Sequence, residues 1–421
     1  MNLTQDQLNA IDKFHQFLGS TIQYFILEGS AGTGKTTIVK ELLNIVRNNQ
    51  LNYACTATTN KAANVLSNII NEDVTTIASL LGLRIVNNYS TGVSSLVSTA
   101  ATHDLDPSIV FIDESSMLDW VTLKYIKTHC TQCKVVFIRD LYQLPAVSVK
   151  HKDVLSGLDA IKVSLNKVVR YSNSILKLAE AIKVAVDTSV FPKLSLFSSK
   201  EIQLLSYEDF LLEITKCFEE DTNKGKVLAW TNQQVINYNK YIRANLGLTN
   251  KWQKGDLVTS PNPIMNNGKI LHKTDVVLTI ESVEKSRYTI ANKSIDCYSI
   301  RFEKYGALIA CPENYREVTQ LLKQLARDKD WSTYYRVKET LVDLRHCFAS
   351  TIHKAQGDTY NTVFIDLEDI AKNKDLIEVA KLLYTAITRA TDKVIFCINS
   401  SKINFDEEIQ LIHLLHGTLN D

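Results

Sequence analysis

The stretch Gly29-Ser30-Ala31-Gly32-Thr33-Gly34-Lys35-Thr36 is a complete G-x-x-x-x-G-K-[ST] sequence, and it constrains the fold more than any other part of the chain. An apolar, aromatic and β-branched run, Tyr24 to Leu27, precedes it, and Ile38, Leu42, Leu43 and Val46 recur at helical spacing after it. Strand, loop and helix therefore follow in the order that a phosphate-binding loop requires. The glycines let backbone N–H groups cradle phosphates at a helix N-terminus, Lys35 reaches the β and γ oxygens, and Thr36 offers a hydroxyl to Mg²⁺. Gly29 through Thr37 are the candidate nucleotide ligands, with ATP as the expected nucleotide. A glycine turn without this chemistry needs neither the lysine nor the threonine.

The remaining composition sets bounds. At 421 residues and 45% apolar content the chain is long enough for two to four folded domains. Lys plus Arg (47) nearly equals Asp plus Glu (46), so no global basic charge marks a nucleic-acid partner, although a local groove can still be basic. Cysteines at 55, 130, 133, 217, 297, 311, 347 and 397 are scattered, with no secretory leader pattern before them, which predicts reduced thiols in the cytoplasm. His129-Cys130-x-x-Cys133 hints at a metal, but a second ligand pair at zinc spacing is missing. No apolar run approaches the roughly 20 residues that span a bilayer, so no membrane partner is expected.

Along the chain, Thr4 and Gln7 have the spacing of a capping box before a helix carrying Leu8, Ile11, Phe14 and Leu18; the alternative use of Gln7 is an amide that reads adenine. Tyr53 to Thr58 read as a second strand ending in Thr59-Asn60-Lys61, where ligands bind in open α/β sheets. Residues 84–104 change to alternating β-branched texture around Asn87 to Gly92, which predicts an inserted hairpin. The strand Ile109 to Ile112 delivers Asp113 and Glu114; downstream of Lys35, one acid suits Mg²⁺ and the other the attacking water, which favours hydrolysis over nucleotide storage. Another strand, Val135 to Ile138, leads through Arg139 to Gln143, placed to sense a γ-phosphate.

The second half repeats the α/β texture without a second phosphate loop: a strand Val227 to Trp230 ends in Thr231-Asn232. Short β-rich runs follow at 256–260, 276–282, 287–291, 297–303 and 307–310, and Val318, Leu321, Leu322 and Leu325 mark an amphipathic helix. The α/β pattern resumes with Phe348 to Gly357, the strand Val363 to Ile365, the helical run Leu382 to Ala390 and the strand Lys393 to Cys397. Taken singly, Arg170, His353 and Arg389 are ordinary surface or structural residues.

Taken in order, these segments resemble the motif set of superfamily 1B DNA helicases, the Dda-like and RecD-like group, over nearly the whole chain from Leu3 to about Cys397. The resemblance implies an α/β fold of two RecA-like parallel-sheet domains: 1–83 with 105–170 binding nucleotide, and 171–255 with 345–421 as the second. It further implies 84–104 as a strand-separating pin and 256–344 as an inserted SH3-like barrel with helices. By the same resemblance Gln7 reads adenine, Gln356 and Gly357 lie near the nucleotide, and Arg170 and Arg389 reach the γ-phosphate from opposite domains. Lys35, Thr36, Asp113, Glu114, Gln143, Arg170 and Arg389 form the implied catalytic set, with Thr36 and Asp113 on Mg²⁺. Thr59, Asn60, Lys61, Thr76, Ser79, Thr231, Asn232, Thr351 and His353 are implied DNA contacts, and Tyr89 is the candidate wedge. Three positions depart from the family pattern: Arg139 replaces a glycine, Ala146 a proline and Ala78 a histidine, with Arg139 able to crowd the nucleotide or add a contact.

The expected activity is ATP-dependent translocation on single-stranded DNA, 5′ to 3′, opening duplex junctions in replication, recombination or repair. The expected protein is a cytoplasmic monomer, in the host cytoplasm if phage-encoded, with a single-strand-binding or replisome protein as candidate partner. A kinase or unrelated P-loop NTPase leaves the second α/β half without a task. A non-catalytic DNA-binding module leaves Glu114, Gln143, Arg170 and Arg389 without one.

Overall fold

The structure, a computed structural model, describes residues 3–98, 108–146, 148–149, 153–167, 174–266, 269–303 and 305–398. The described chain divides into two compact units, one drawn from segments 1–82, 99–235 and 350–421 and the other from 83–98 and 236–349.

The first unit is α/β and holds two RecA-like parallel sheets. One has six strands in the order Thr75–Thr76, Tyr53–Ala57, Ile109–Asp113, Lys134–Arg139, Tyr24–Gly29, Ala160–Leu165, all parallel. Strands covered on both faces are apolar without alternation, and Ile109 to Ile112 and Phe25 to Leu27 are buried in this way. Helix Gln5–Leu18 contributes Phe14 and Phe17, whose rings lie 5.5 and 5.4 Å from that of Phe25. Helix Lys35–Asn48 buries Ile38, Val39, Leu42, Leu43 and Val46, the stripe its spacing predicts. The phosphate loop thus leaves the carboxyl end of an interior strand, where open α/β sheets bind ligands.

The other sheet has the order Ala349–Thr351, Gly225–Ala229, Tyr360–Asp366, Ala390–Cys397, Ile202–Leu205. Helix Leu376–Ile387 is apolar almost all round and buries every side chain from Leu382 to Ile387, as a helix enclosed by its own domain must. It packs with helix Ser174–Thr188, and Leu178, Ile182, Leu383 and Ile387 share one core.

The second unit is antiparallel, with strand order Tyr305–Pro312, Lys293–Phe302, Leu278–Ile290, Leu257–Thr259, Arg345–His346. Two expected runs, 276–282 and 287–291, form one strand, Leu278–Ile290, and the turn falls at Ala291-Asn292, both at positive φ (53° and 56°). A two-residue hairpin loop with this handedness matches the strand twist; Ala291 takes a conformation that its sequence does not advertise. A second hairpin, Ile264–Asn266 with Lys269–His272, was not expected at all. Helix Tyr315–Arg327 buries Val318, Leu321 and Leu325 as its period predicts. Arg243 and Asp256 form a buried pair at 2.8 Å, and the His346 ring packs 4.4 Å from Trp252 with Nε2 at 3.1 Å from the Lys251 carbonyl.

The hairpin Leu83–Asn87 with Ser94–Ser98 belongs to this unit; the remainder of its expected span, 99–104, lies outside the described residues. Its turn seats on helix Trp331–Thr340. The Tyr335 hydroxyl donates to the Gly92 carbonyl at 2.8 Å, and the Tyr89 ring meets Tyr335 edge-on at 5.5 Å. Gly92 has φ +71°, and a Cβ there would fall 2.3 Å from the Trp331 ring.

Candidate active site

At the loop, Gly32 and Gly34 adopt φ of +81° and +83°, and Gly34 caps helix Lys35–Asn48. This left-handed backbone turns successive N–H groups toward one point, the arrangement that suits an anion. Gln7 proves to be both cap and buttress. Its Oε1 accepts from the Thr4 N–H at 3.0 Å, completing the capping box, while Nε2 donates to the Thr33 carbonyl at 3.1 Å inside the loop. Lys35 Nζ donates to the carbonyls of Gly29 (2.6 Å) and Ser30 (3.1 Å) and lies 3.6 Å from Asp140. Thr33 is buried with its hydroxyl on the Ser30 carbonyl at 2.9 Å, whereas Thr36, in the first helical turn, is exposed beside the half-buried Thr37.

Asp113 ends its strand and accepts the Glu114 N–H on Oδ1 at 2.8 Å. Glu114 sits at φ 50°, a left-handed turn that lifts it off the strand axis. Burial raises both carboxyls; the Glu114 carboxyl is pushed up to about 7 by burial and by Asp113, with Arg389 and Lys35 acting in the opposite sense. These two cations come from different sheets.

Asp140, fully buried, gathers the next layer: it accepts the Tyr142 N–H (3.1 Å), Gln143 Nε2 (3.3 Å) and the Tyr384 hydroxyl (2.9 Å). Gln356 Nε2 donates to Gln143 Oε1 and to the Leu144 carbonyl, each at 3.1 Å, and Thr385 Oγ1 accepts the Leu144 N–H at 3.2 Å. Arg389 is buried, with its guanidinium on the carbonyls of Thr385 and Asp358 and on Thr388 Oγ1, each at 3.1 Å. Gly357, at φ +86°, approaches Ala62. Arg139 does not crowd this cluster: its guanidinium is held by Glu28 (2.5 and 3.0 Å) and Asp153 (2.5 and 3.1 Å), and burial is offset by both acids.

The expected DNA-contact positions lie at carboxyl ends of strands, and their hydroxyls hold the following turns. Thr59 accepts the Ala62 N–H, Thr76 accepts the Ser79 N–H, and Thr231 donates to the buried Asp369 at 2.8 Å. Lys61 pairs with Asp358 and donates to the Lys354 carbonyl at 3.2 Å. Asn60 and His353 are half-buried, Asn232 exposed, and Thr351 buried; burial lowers the His353 imidazole. Tyr89 is 55% exposed. Arg170 lies outside the described residues. Among the described residues no group of three or more His, Cys, Asp or Glu side chains is arranged to hold a metal, and Cys130 is buried, its thiol pushed up to about 12. No helix among them is long and apolar enough to cross a membrane.

Sequence reasoning gave no role to Tyr384, Thr385, Glu180 or Lys183. Lys183 Nζ donates to Ser30 Oγ at 3.2 Å and pairs with Glu180 at 2.8 Å, so helix Ser174–Thr188 braces the loop. A glutamate and a lysine three residues apart on a largely apolar helix, Glu180 and Lys183, were the available signal. For Tyr384 there was none, since an aromatic in an apolar helix reads as core.

A phosphate loop on one parallel sheet, faced by a glutamine and an arginine from a second, defines a P-loop ATPase with a composite site. Two family models match the chain: an AAA domain over residues 2–190 and a UvrD-like helicase C-terminal domain over residues 346–397. The ATP-dependent DNA helicase dda of Enterobacteria phage T4 is 23% identical, covering 94% of this chain and 99% of its own. Among solved structures, two coordinating Pif1 helicases described at forked double-stranded DNA match with TM-score 0.54 and 17% identity, over 98% of this chain and 94% of theirs. Pif1 helicase from Bacteroides, in complex with ADP-AlF3 and single-stranded DNA, matches with TM-score 0.53 and 16% identity over 98% and 94%. The chain is thus similar over nearly its whole length to the Dda-like and Pif1-like helicases of superfamily 1B, and it is an ATP-dependent DNA helicase.

Proposed function

We propose that the chain moves 5′ to 3′ along single-stranded DNA and opens duplex junctions during replication, recombination or repair, using one ATP site completed by both sheets. The observation that supports the composite ATP site is that side chains from the second sheet's segments bond to the phosphate-loop side: the Tyr384 hydroxyl to the Ala31 N–H and Asp140, and Gln356 to Gln143. ATP phosphates rest on the amides of Gly29 to Thr37, with Gln7 beside the adenine and Lys35 on the β and γ oxygens. Glu114, whose carboxyl favours a proton more than an exposed glutamate does, orients and deprotonates the attacking water. Gln143, with Gln356 and Gly357 behind it, reports the γ-phosphate, and Arg389 and Arg170 stabilise charge on the transferring phosphoryl group. Thr36 and Asp113 are the donors that fit Mg²⁺: a hydroxyl at the helix start and a buried acid whose burial cost a cation offsets. Bound there, the ion would neutralise charge on the β and γ oxygens.

DNA contacts fall to Thr59, Asn60, Lys61, Thr76, Ser79, Thr231, Asn232, Thr351 and His353, with Tyr89 as the wedge. The known relatives' DNA complexes, and the position of these residues at strand ends, support this. We assign 1–83 with 105–170 and 171–255 with 345–421 to the two motor domains, 84–104 to the pin and 256–344 to the inserted domain. The protein acts as a monomer in the cytoplasm, with a single-strand-binding or replisome protein as partner. Duplexes carrying a 5′ or a 3′ single-stranded tail, incubated with and without ATP, test the reading. Unwinding of the 5′-tailed duplex alone is expected; unwinding of the 3′-tailed duplex alone overturns the direction. ATP hydrolysis that persists in Lys35→Ala overturns the site.

A further inference from the structure

Tyr384 is fully buried on helix Leu376–Ile387, which belongs to the second sheet, yet its hydroxyl ends inside the first sheet's phosphate loop. It accepts the Ala31 N–H at 2.7 Å and donates to Asp140 Oδ2 at 2.9 Å. Asp140 in turn stands 3.6 Å from Lys35 Nζ and binds Gln143. The next residue, Thr385, holds the Leu144 N–H, and its carbonyl, with that of Asp358, holds the Arg389 guanidinium. One helical turn therefore carries a hydroxyl seated among the loop's donors and the support for the arginine.

An N–H group has one proton to donate. Ala31 is among the loop residues assigned to the phosphates under Proposed function, and a phosphate oxygen on its amide would draw on the donor that the Tyr384 hydroxyl uses. We propose that Tyr384 is a positioning residue that competes with phosphate for the Ala31 N–H, so that nucleotide arrival expels the hydroxyl and moves the helix segment that carries Arg389. The competition weakens nucleotide binding and in exchange couples it to placement of the arginine. The inference rests on the nucleotide reading given under Proposed function.

The test is the affinity of the full-length protein for fluorescently labelled ADP in magnesium buffer, wild type against Tyr384→Phe. The ring, which lies 5.9 Å from that of Tyr142, is retained, and Asp140 keeps its remaining donors. Loss of one competing hydrogen bond predicts binding tighter by about 3- to 10-fold. In steady state, KM for ATP falls together with kcat, because arginine placement is uncoupled. A purely structural tyrosine would give weaker binding. Wild-type binding with an unchanged or weaker Tyr384→Phe affinity overturns this inference alone, whereas absence of binding to the wild type overturns the nucleotide reading and the inference together. Amide hydrogen exchange on the wild-type protein without nucleotide supplies a variant-free check: the Ala31 N–H is expected to be protected, and exchange at the unprotected rate overturns the proposal.

Discussion

The two units of this helicase bury polar groups for different ends. In the first, Thr33, Asp140, Gln143, Gln356, Thr385 and Arg389 are buried around the phosphate loop and the segments that face it, each hydrogen-bonded to a neighbour there. In the second, Arg243 and Asp256 close a pair at 2.8 Å, and Arg243 also donates to the Asn250 carbonyl at 2.6 Å. Those bonds tie helix Asn232–Asn245 to the residue that precedes strand Leu257–Thr259 of the antiparallel sheet. Burial raises the stakes of any polar group, because an unpaired one loses its water. What differs is whether the partner is exchangeable. Breaking a bond in the first unit should cost turnover, and breaking one in the second should cost stability.

That contrast is open to attack at four points, taken from the largest effect to the smallest. Lys35→Ala should lower DNA-stimulated ATP hydrolysis to background, about 10³-fold or more, with the thermal unfolding midpoint unchanged; a folded variant that still hydrolyses ATP would end the comparison at its first term. Arg389→Ala should lower kcat by about 10³-fold, as loss of an arginine finger does, while labelled ADP still binds. A loss expressed in binding alone would make Arg389 a nucleotide ligand instead. In the second unit, Asp256→Ala leaves Arg243 buried without its carboxylate and should cost about 3–5 kcal/mol of stability. Urea denaturation reads that cost, and ATPase measured below the transition should survive; a matching collapse of turnover would show that the units do not divide their work in this way.

The fourth point is pH. The His346 imidazole is held down to about 3 by burial and by Arg243, against an ordinary value of 6.5. Between those values the unfolded chain takes up a proton that the folded chain refuses, so this contribution to stability is present above about pH 6.5 and is lost as pH falls toward 3. His346→Gln should flatten the decline of the unfolding midpoint between about pH 7 and pH 5. An unaltered slope would remove His346 from the second unit's stabilising set.

How much of this could be read from the residues alone depends on how local each constraint is. Phosphate binding forces glycines and a lysine into fixed spacing, so Gly29 to Thr36 declares itself. Asp113 and Glu114 are legible because an apolar strand delivers them and a phosphate loop precedes them. Arg389 carries no local signal and became a candidate only through the order of motifs around it. Tyr384 remained hidden because its role rests on one hydroxyl reaching a loop 353 residues earlier in the chain, a relation no periodicity records. Arg139 looked able to crowd the nucleotide; its partners, Glu28 and Asp153, were visible as acids but not as neighbours. In the antiparallel sheet, the polar stretch Glu284 to Ser286 read as a break, yet its backbone pairs continuously with Lys293–Phe302. Cross-strand hydrogen bonding, indifferent to side-chain polarity, decided that length.

The contact between Gly92 and Trp331 carries a consequence for heredity. A methyl group at position 92 and the indole at position 331 cannot share the same space, so the two codons are not free to drift independently. Selection for revertants of Gly92→Ala should return second-site changes at Trp331 to smaller residues, a suppressor relationship between positions that the gene keeps far apart.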